Sequence, residues 1–166
     1  MTKEQVDYLL ALPKKVETND VLEDAIVLTQ TVPFNLRYKL VSPEDDEFTF
    51  LYDVDQSAKN YLKLSLHFMD NDSKVGLLRI DFCGQHQNPE NINQELPAEL
   101  YPFAGKLFSY NEPHLHLYVD GYKPLAWAVP LRWHPAALFL PLFKNLCPKR
   151  MMMLNCLKNL WCVHHP

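Results

Sequence analysis

Apolar and polar residues alternate through much of the first 130 residues, which is the pattern of strands with one buried face. The alternation is clear in FNLRYKLV, residues 34–41, and in YLKLSLHFM, residues 61–69. DAIVLTQTV, residues 24–32, is rich in β-branched residues, and FTFLYDV (48–54) and VGLLRIDF (75–82) follow polar turns. Together these runs predict an antiparallel meander that buries one face.

Helical patterns lie at the two ends of the chain. Thr2 and Gln5 have the spacing of a capping box, and an apolar stripe with helical spacing follows until Pro13. Near the other end, AALFLPLFKNL (136–146) and KRMMMLNCLKNLWCV (149–163) predict two further helices. The expected fold class is therefore α+β: an antiparallel meander flanked by an N-terminal helix and C-terminal helices.

The distribution of charge divides the chain into two parts. Residues 1–120 hold all twenty carboxylates and ten Lys and Arg, a net charge of −10, whereas residues 121–166 hold six Lys and Arg and no carboxylate. We therefore describe an acidic β-rich body, residues 1–130, and a basic helical tail, residues 131–166, within a single domain, residues 1–166. An acidic body repels nucleic acid and suits a basic protein partner, although acidic turns also simply keep proteins in solution.

The ends of the chain and its cysteines indicate a compartment. The opening stretch, MTKEQVDYLLALPKK, is too polar for a secretion signal, and no apolar run reaches the ~18 residues that a membrane span needs. The four cysteines of a chain without such a signal are typically reduced or metal-bound. We expect a cytoplasmic protein that makes no contact with a membrane.

Four candidate metal ligands bracket a long irregular segment, residues 84–113. Cys83 and His86 follow the strand VGLLRIDF, and His114 and His116 share one face of the next predicted strand, HLHLYVD. If the two strands are neighbours, four nitrogen and sulfur ligands meet, which is a set typical of tetrahedral zinc. Four protein ligands are typical of a structural zinc site, which would hold the long segment in place.

Each motif also has a simpler interpretation. A His-x-His pair on a strand is often exposed or hydrogen-bonded, and a cysteine at a strand end is often a small buried apolar residue. The aromatic residues near Trp127 and Trp133 suit either a partner surface or the core. A second Cys/His group in the tail is more typical of a core helix followed by a frayed end; its members are Cys156, Cys162, His164 and His165.

Several stretches resemble a known group of proteins. KEQVDYLLALPKK, LLRIDFCGQHQNPE, PHLHLYVDGY and WAVPL are similar to a family of small uncharacterised proteins from bacteria, phages and mobile elements, over roughly residues 3–130. The chain is also similar to zinc-containing anti-CRISPR proteins that act on type II effector nucleases. This resemblance implies a non-enzymatic inhibitor in a bacterial host cell, with the effector nuclease as protein partner and no direct contact with nucleic acid.

Three functional hypotheses follow. The first is this zinc-stabilised inhibitor, in which exposed aromatics anchor the partner and acidic turns steer the encounter; those acidic residues are Glu44–Glu47, Asp53, Asp55, Asp70 and Asp72. The second is a metal-dependent hydrolase or nuclease, which needs an open metal position and a base such as Glu90, Glu112 or Asp120. The third is a metal-free protein-binding module.

Overall fold

The computed structural model describes residues 1–24, 33–60 and 63–131. Within these residues the chain forms one helix, one 3₁₀ helix and ten strands. The strands are β1 (Lys15–Thr18), β2 (Val21–Glu23), β3 (Phe34–Val41), β4 (Thr49–Gln56), β5 (Leu64–Asp70), β6 (Gly76–Phe82), β7 (His86–Gln87), β8 (Leu107–Phe108), β9 (His114–Leu117) and β10 (Trp127–Pro130). Eight of them form an antiparallel sheet in the order β10-β9-β6-β5-β4-β3-β1-β2, and β7 and β8 form a separate ribbon.

The N-terminal helix, α1 (Lys3–Ala11), begins as the sequence predicts. The Thr2 hydroxyl accepts a hydrogen bond from the backbone N–H of Gln5, and the Gln5 side chain accepts one from the backbone N–H of Thr2. Val6 and Leu9 lie on the buried side of the helix, where they pack on the core of the sheet. The predicted amphipathic helix against the core is therefore confirmed.

The central meander, β3 to β6, is also confirmed. Each strand pairs with the next in the chain, and the registers run through Tyr52, which lies opposite both Tyr38 and Phe68. The alternating residues Leu64, Leu66 and Phe68 are buried in the core that the sequence pattern predicted. The opposite face is polar in its middle, where Arg37 donates two hydrogen bonds to Asp53.

The hairpin of β1 and β2 is absent from the sequence prediction. Thr18 pairs with Val21 across a two-residue loop, Asn19-Asp20. Both loop residues have positive φ, 50° and 61°, which is the backbone of a type I′ turn and suits Asn and Asp. The signal for this hairpin is the Asn-Asp pair between two short β-branched runs, which were too short to be recognised as strands.

Residues 84–113, which we call the covering segment, join β6 to β9. The segment contains the ribbon of β7 and β8 and the 3₁₀ helix (Ala98–Phe103). Its main attachment is Asn88, whose side-chain amide exchanges two hydrogen bonds with the backbone of Ala128 and donates a third to the Phe103 carbonyl. The Asn88 amide thereby satisfies backbone groups of β10 on the edge that faces away from β9.

Several sequence predictions reach beyond the described residues, among them those for Trp133 and for the Cys/His group of the tail. The strand expected at residues 24–32 and the helices expected at residues 136–146 and 149–163 lie outside them, apart from Asp24. In the described residues, no helix has the length and apolar character required to cross a lipid bilayer.

One lysine lies inside the core. Lys14, at 2% exposed, places its Nζ 5.0 Å and 5.3 Å from the ring centroids of Phe50 and Phe68. Its ammonium group donates hydrogen bonds to the carbonyls of Leu10 and Leu12 at the end of α1. No carboxylate of the described residues forms an ion pair with it, and burial lowers the pKa of Lys14 to about 7.

Lys14→Met is expected to remove a pH dependence of stability. Between pH ~7 and ~10.4 the unfolded chain binds a proton that the folded chain does not, because the pKa of Lys14 is lower in the fold. The free energy of unfolding of the parent protein should therefore rise with pH through this window, by an amount on the order of a few kcal/mol. Urea unfolding at pH 7 and pH 9.5 measures this rise, which Lys14→Met should largely abolish.

The exposed lysine Lys59 provides the control for this measurement. Lys59→Met should keep the parent rise between pH 7 and pH 9.5, because it removes an exposed side chain and leaves the buried Lys14 in place. An equal rise in the Lys14 and Lys59 variants would show that other groups cause it.

Candidate metal centre

The pairing of β6 with β9 forms a polar cluster in the interior. In this register Asp81 lies opposite His114, and Arg79 lies opposite His116. Directly opposite residues of an antiparallel pair point to the same face of the sheet, so these four side chains are neighbours. Asp81, His114 and His116 are all buried, His114 completely.

Three ligand atoms converge within this cluster. A carboxylate oxygen of Asp81 and one ring nitrogen each of His114 and His116 lie within 4.8 Å of one another. Asp81 Oδ2 is 3.1 Å from His116 Nε2 and 3.8 Å from His114 Nε2. Ligands of a tetrahedral zinc ion with bonds of ~2.0–2.1 Å lie about 3.3 Å apart, so the separations of this group are close to those of a metal site.

Backbone carbonyls orient both imidazole rings. His114 donates its Nδ1–H to the Glu112 carbonyl at 2.8 Å, and His116 donates its Nδ1–H to the Leu125 carbonyl at 3.0 Å. Each ring therefore turns its Nε2 toward Asp81, which is the arrangement that fixes the tautomer of metal-ligating histidines. A neutral His116 then directs a lone pair at the carboxylate, so the contact requires either a second proton on His116 or a cation between the groups.

His114 Nε2 is the unsatisfied atom of the cluster. It is fully buried and has no hydrogen-bond partner, although it lies 3.8 Å from Asp81 Oδ2. Buried polar atoms without partners are rare, and each one requires a physical explanation. Burial lowers the pKa of His114, which keeps the imidazole neutral, the form that binds metals.

Polar neighbours hold Asp81 in its ionised form. Burial alone would raise the pKa of this carboxyl, but the close approach of His116 and the hydrogen bonds from Ser65 and Arg79 outweigh it and keep the pKa well below its usual range. Ser65 Oγ and Arg79 Nε both donate to Oδ1, at 2.6 Å and 2.9 Å. Oδ1 is therefore anchored, and Oδ2 is the atom that faces the histidines.

Leu125 supports His116 through an unusual backbone conformation. Its φ of 60° is in the left-handed region, which is uncommon for a residue other than Gly, Asn or Asp. Its carbonyl accepts the His116 Nδ1–H, and its side chain lies on Gly76, where an added Cβ would be 2.5 Å from Leu125 Cδ1. Gly76 thus makes room for the residue that orients a candidate ligand.

Two aromatic rings of the covering segment, those of His86 and Phe108, pack on the cluster. The His86 ring centroid lies 4.4 Å from that of His116 and 5.8 Å from that of His114, and the Phe108 ring stacks on His114 at 4.7 Å. Burial, together with the neighbouring His116, lowers the pKa of His86. The covering segment and the sheet together bury His114 and His116.

The structure does not bring the four sequence-predicted ligands into one converging group. It brings His114 and His116 together with Asp81, it places His86 in ring contact with them, and it leaves Cys83 outside the converging group. Cys83 is half-buried, with a backbone φ of 55° that ends the regular extension of β6. Burial raises the pKa of its thiol, which disfavours the thiolate form that ligates metals. Ligation by Cys83 therefore stays a prediction.

Asp81 is the functional candidate that the motif search missed. The Cys-x-x-His and His-x-His patterns do not include this carboxylate, which precedes Cys83 by two residues. The available signal was an acidic residue between Ile80 and Phe82, in a strand that is otherwise almost entirely apolar. A carboxylate in such a strand is directed into the interior and needs buried partners.

The fold and the cluster define an antiparallel β-sheet protein with a buried His/carboxylate centre that can hold a metal ion. The chain belongs to a family of unknown function, DUF6978, whose model matches residues 1–147. No curated protein and no solved structure matches the chain.

Zinc is expected to stabilise the protein through the converging group. Added Zn²⁺ should raise the Tm of the metal-depleted parent protein, progressively with concentration, because the ion binds the folded state in preference to the unfolded one. Asp81→Asn and His114→Ala should each remove most of this rise, since each leaves two of the three converging ligands. Differential scanning calorimetry with and without Zn²⁺ measures the change.

His67 offers a matched control for this experiment. It is a largely buried histidine that lies opposite Arg79, on the same face of the sheet but outside the converging group. His67→Ala should retain the zinc-dependent rise in Tm, whatever its effect on baseline stability. A rise that persists in the Asp81 and His114 variants would place the ion elsewhere.

Cys83→Ser distinguishes the ligand set of the structure from that of the sequence. With Asp81 as the third ligand, the substitution should change the zinc dissociation constant by less than about threefold, because the thiol lies outside the group. Competition with a chromophoric chelator measures the constant. A loss of tenfold or more would establish the thiolate as a ligand in the zinc-bound protein.

Proposed function

We propose that the protein is a non-enzymatic, zinc-stabilised inhibitor that acts in the bacterial cytoplasm on a type II CRISPR effector nuclease. In this proposal a zinc ion at Asp81, His114 and His116 stabilises the pair of strands on which the covering segment packs, and the segment presents the surface that binds the nuclease. The observation that carries the proposal is the position of exposed apolar side chains on a segment that covers a buried, metal-capable cluster.

The apolar side chains of the covering segment favour a role in binding. Ile92, Tyr101, Leu107 and Tyr110 are between 45% and 58% exposed, and they make up half of the large exposed apolar residues in the described chain. Exposed aromatic residues are preferred anchors of protein interfaces because they bury much area at low cost in entropy. Trp127, by contrast, is 1% exposed and belongs to the core, which excludes it as an anchor.

The charge of the segment suits a basic partner. Within residues 84–113, four glutamates are accompanied by a single lysine, Lys106, which forms an ion pair with one of them, Glu112. Such a surface repels nucleic acid and attracts the Lys- and Arg-rich channels of RNA-guided nucleases. The acidic turn at residues 44–47 adds to this field, whereas Asp70 is buried and accepts hydrogen bonds from Ser73, so its side chain is not part of the exposed surface.

A metal-dependent hydrolase is the second candidate. The observation in its favour is the number of converging ligands, since three protein ligands leave a position for water, as in catalytic zinc sites. The burial of all three ligands beneath His86 and Phe108 favours a structural ion, because substrate must reach a catalytic one. The third candidate is a metal-free binding module, which would bind its partner through the same surface without a bound ion.

Inhibition of the nuclease is expected to follow stoichiometry. DNA cleavage by the effector should fall in proportion to occupancy, reach its limit near equimolar protein and weaken as salt rises, because exposed charges are screened beyond ~8–10 Å. Tyr101→Ala and Tyr110→Ala should each cost about 1–2 kcal/mol of binding, a loss of roughly 5- to 30-fold in affinity. Isothermal titration calorimetry and a cleavage assay measure the two effects.

Tyr8 supplies the matched control for the tyrosine substitutions. It is 50% exposed but lies on α1, outside the covering segment, so Tyr8→Ala should bind like the parent protein. Two results would contradict the inhibitor proposal and favour the hydrolase. One is that trace protein inactivates excess nuclease, and the other is that the protein cleaves guide RNA and a chelator stops the cleavage. Equal inhibition by metal-depleted protein would instead favour the metal-free module.

A further inference from the structure

We propose that His86 is the fourth ligand of the metal, through its Nδ1 atom, so that the bound ion joins the covering segment directly to the sheet. The inference deepens the proposed function and rests on its metal centre, but it does not depend on the identity of the partner. The juxtaposition that carries it is the ring of His86 lying on the rings of His114 and His116.

The hydrogen bonds of His86 leave one nitrogen available. Its Nε2 lies 3.0 Å from the Ala126 carbonyl oxygen and 3.1 Å from Asn88 Oδ1. Asn88 Oδ1 also accepts from the backbone N–H of Ala128, so its amide orientation is determined and both atoms near Nε2 are acceptors. Nε2 must therefore carry the hydrogen, and in the neutral ring Nδ1 keeps its lone pair.

The same logic applies to all three rings of the cluster. Each histidine uses one nitrogen to donate to a backbone carbonyl, of Ala126, Glu112 or Leu125, and keeps the other for a cation. Such outer hydrogen bonds are the usual partners of metal-bound imidazoles. A cluster of three imidazoles with one carboxylate suits zinc or cobalt, whereas magnesium and calcium prefer oxygen ligands.

A movement of His86 is required to complete the site. Its nitrogens are not among the atoms that converge within 4.8 Å, whereas its ring centroid is already 4.4 Å from that of His116. His86 lies in β7 of the covering segment, and the other three ligands lie in β6 and β9 of the sheet. Closure of the ring onto the ion would therefore add a metal-mediated attachment of the segment to the sheet.

Cobalt spectroscopy tests the ligand number directly. Co²⁺ in a four-coordinate protein site absorbs visible light far more strongly than Co²⁺ in a six-coordinate one. The parent protein should give the intense spectrum, and His86→Gln should give a weaker spectrum with shifted bands and at least tenfold lower affinity, because one or more water molecules replace the imidazole. The glutamine variant is chosen because it keeps an N–H donor for the Ala126 carbonyl, and His67→Gln serves as the matched control that retains the parent spectrum.

Hydrogen exchange gives a second measure that does not require the spectrum. Zn²⁺ should slow amide exchange in residues 84–113 of the parent protein, and His86→Gln should lose that added protection while keeping zinc-dependent protection in β6 and β9. Parent-like spectrum, affinity and protection in His86→Gln would overturn the inference and leave the three-ligand centre intact. Failure of the parent protein to bind Co²⁺ or Zn²⁺ would overturn the centre itself, and the two failures are thereby distinguished.

Discussion

The antiparallel pairing of β6 with β9 is the interaction on which the rest of the structure depends. It sets Asp81 opposite His114 and Arg79 opposite His116, and a shift of the register by one residue would turn these side chains to the apolar face. The pairing also fixes where the covering segment leaves and rejoins the sheet, since residues 84–113 connect the two strands. The metal-capable cluster and the segment above it therefore share one structural origin.

Burial of this cluster has an energetic cost that the surrounding residues only partly offset. An ionised carboxylate in the interior must recover its lost hydration from donors, and Ser65 and Arg79 supply two of them to Oδ1. The Nε2 atoms of both histidines face Oδ2, whereas their Nδ1–H groups donate to backbone carbonyls on the opposite side of each ring. His114 Nε2 is left without a hydrogen-bond partner. A divalent cation would satisfy Oδ2 and both imidazoles at once, which gives a physical reason for placing these groups together.

The elements that the sequence predicted correctly are those with regular local patterns. The capping box of Thr2 and Gln5 is present, and the alternation in residues 34–41 and 64–70 produces the strands on either side of β4, with apolar faces that are partly buried in β3 and buried in β5. Local periodicity is sufficient for such elements because each strand of the meander pairs with the next one along the chain. The β1–β2 hairpin was missed because its strands are only four and three residues long, too short for a pattern to be visible.

The sequence by itself determined the helix, the central meander, the acidic character of the body and the two histidines of the His-x-His motif. Only the tertiary structure decided the third member of their group, because proximity across two strands depends on their register. The register of β6 against β9 is set by contacts between residues far apart in the chain, such as Asp81 and His116, which are separated by 35 residues. The structure places Asp81 in the group and leaves Cys83 out of it. The chain leaves the strand at Cys83, whose φ is 55°, directly after Phe82, the last residue of β6. Spacing along the chain identifies which residues are able to bind an ion, whereas strand pairing determines which of them meet.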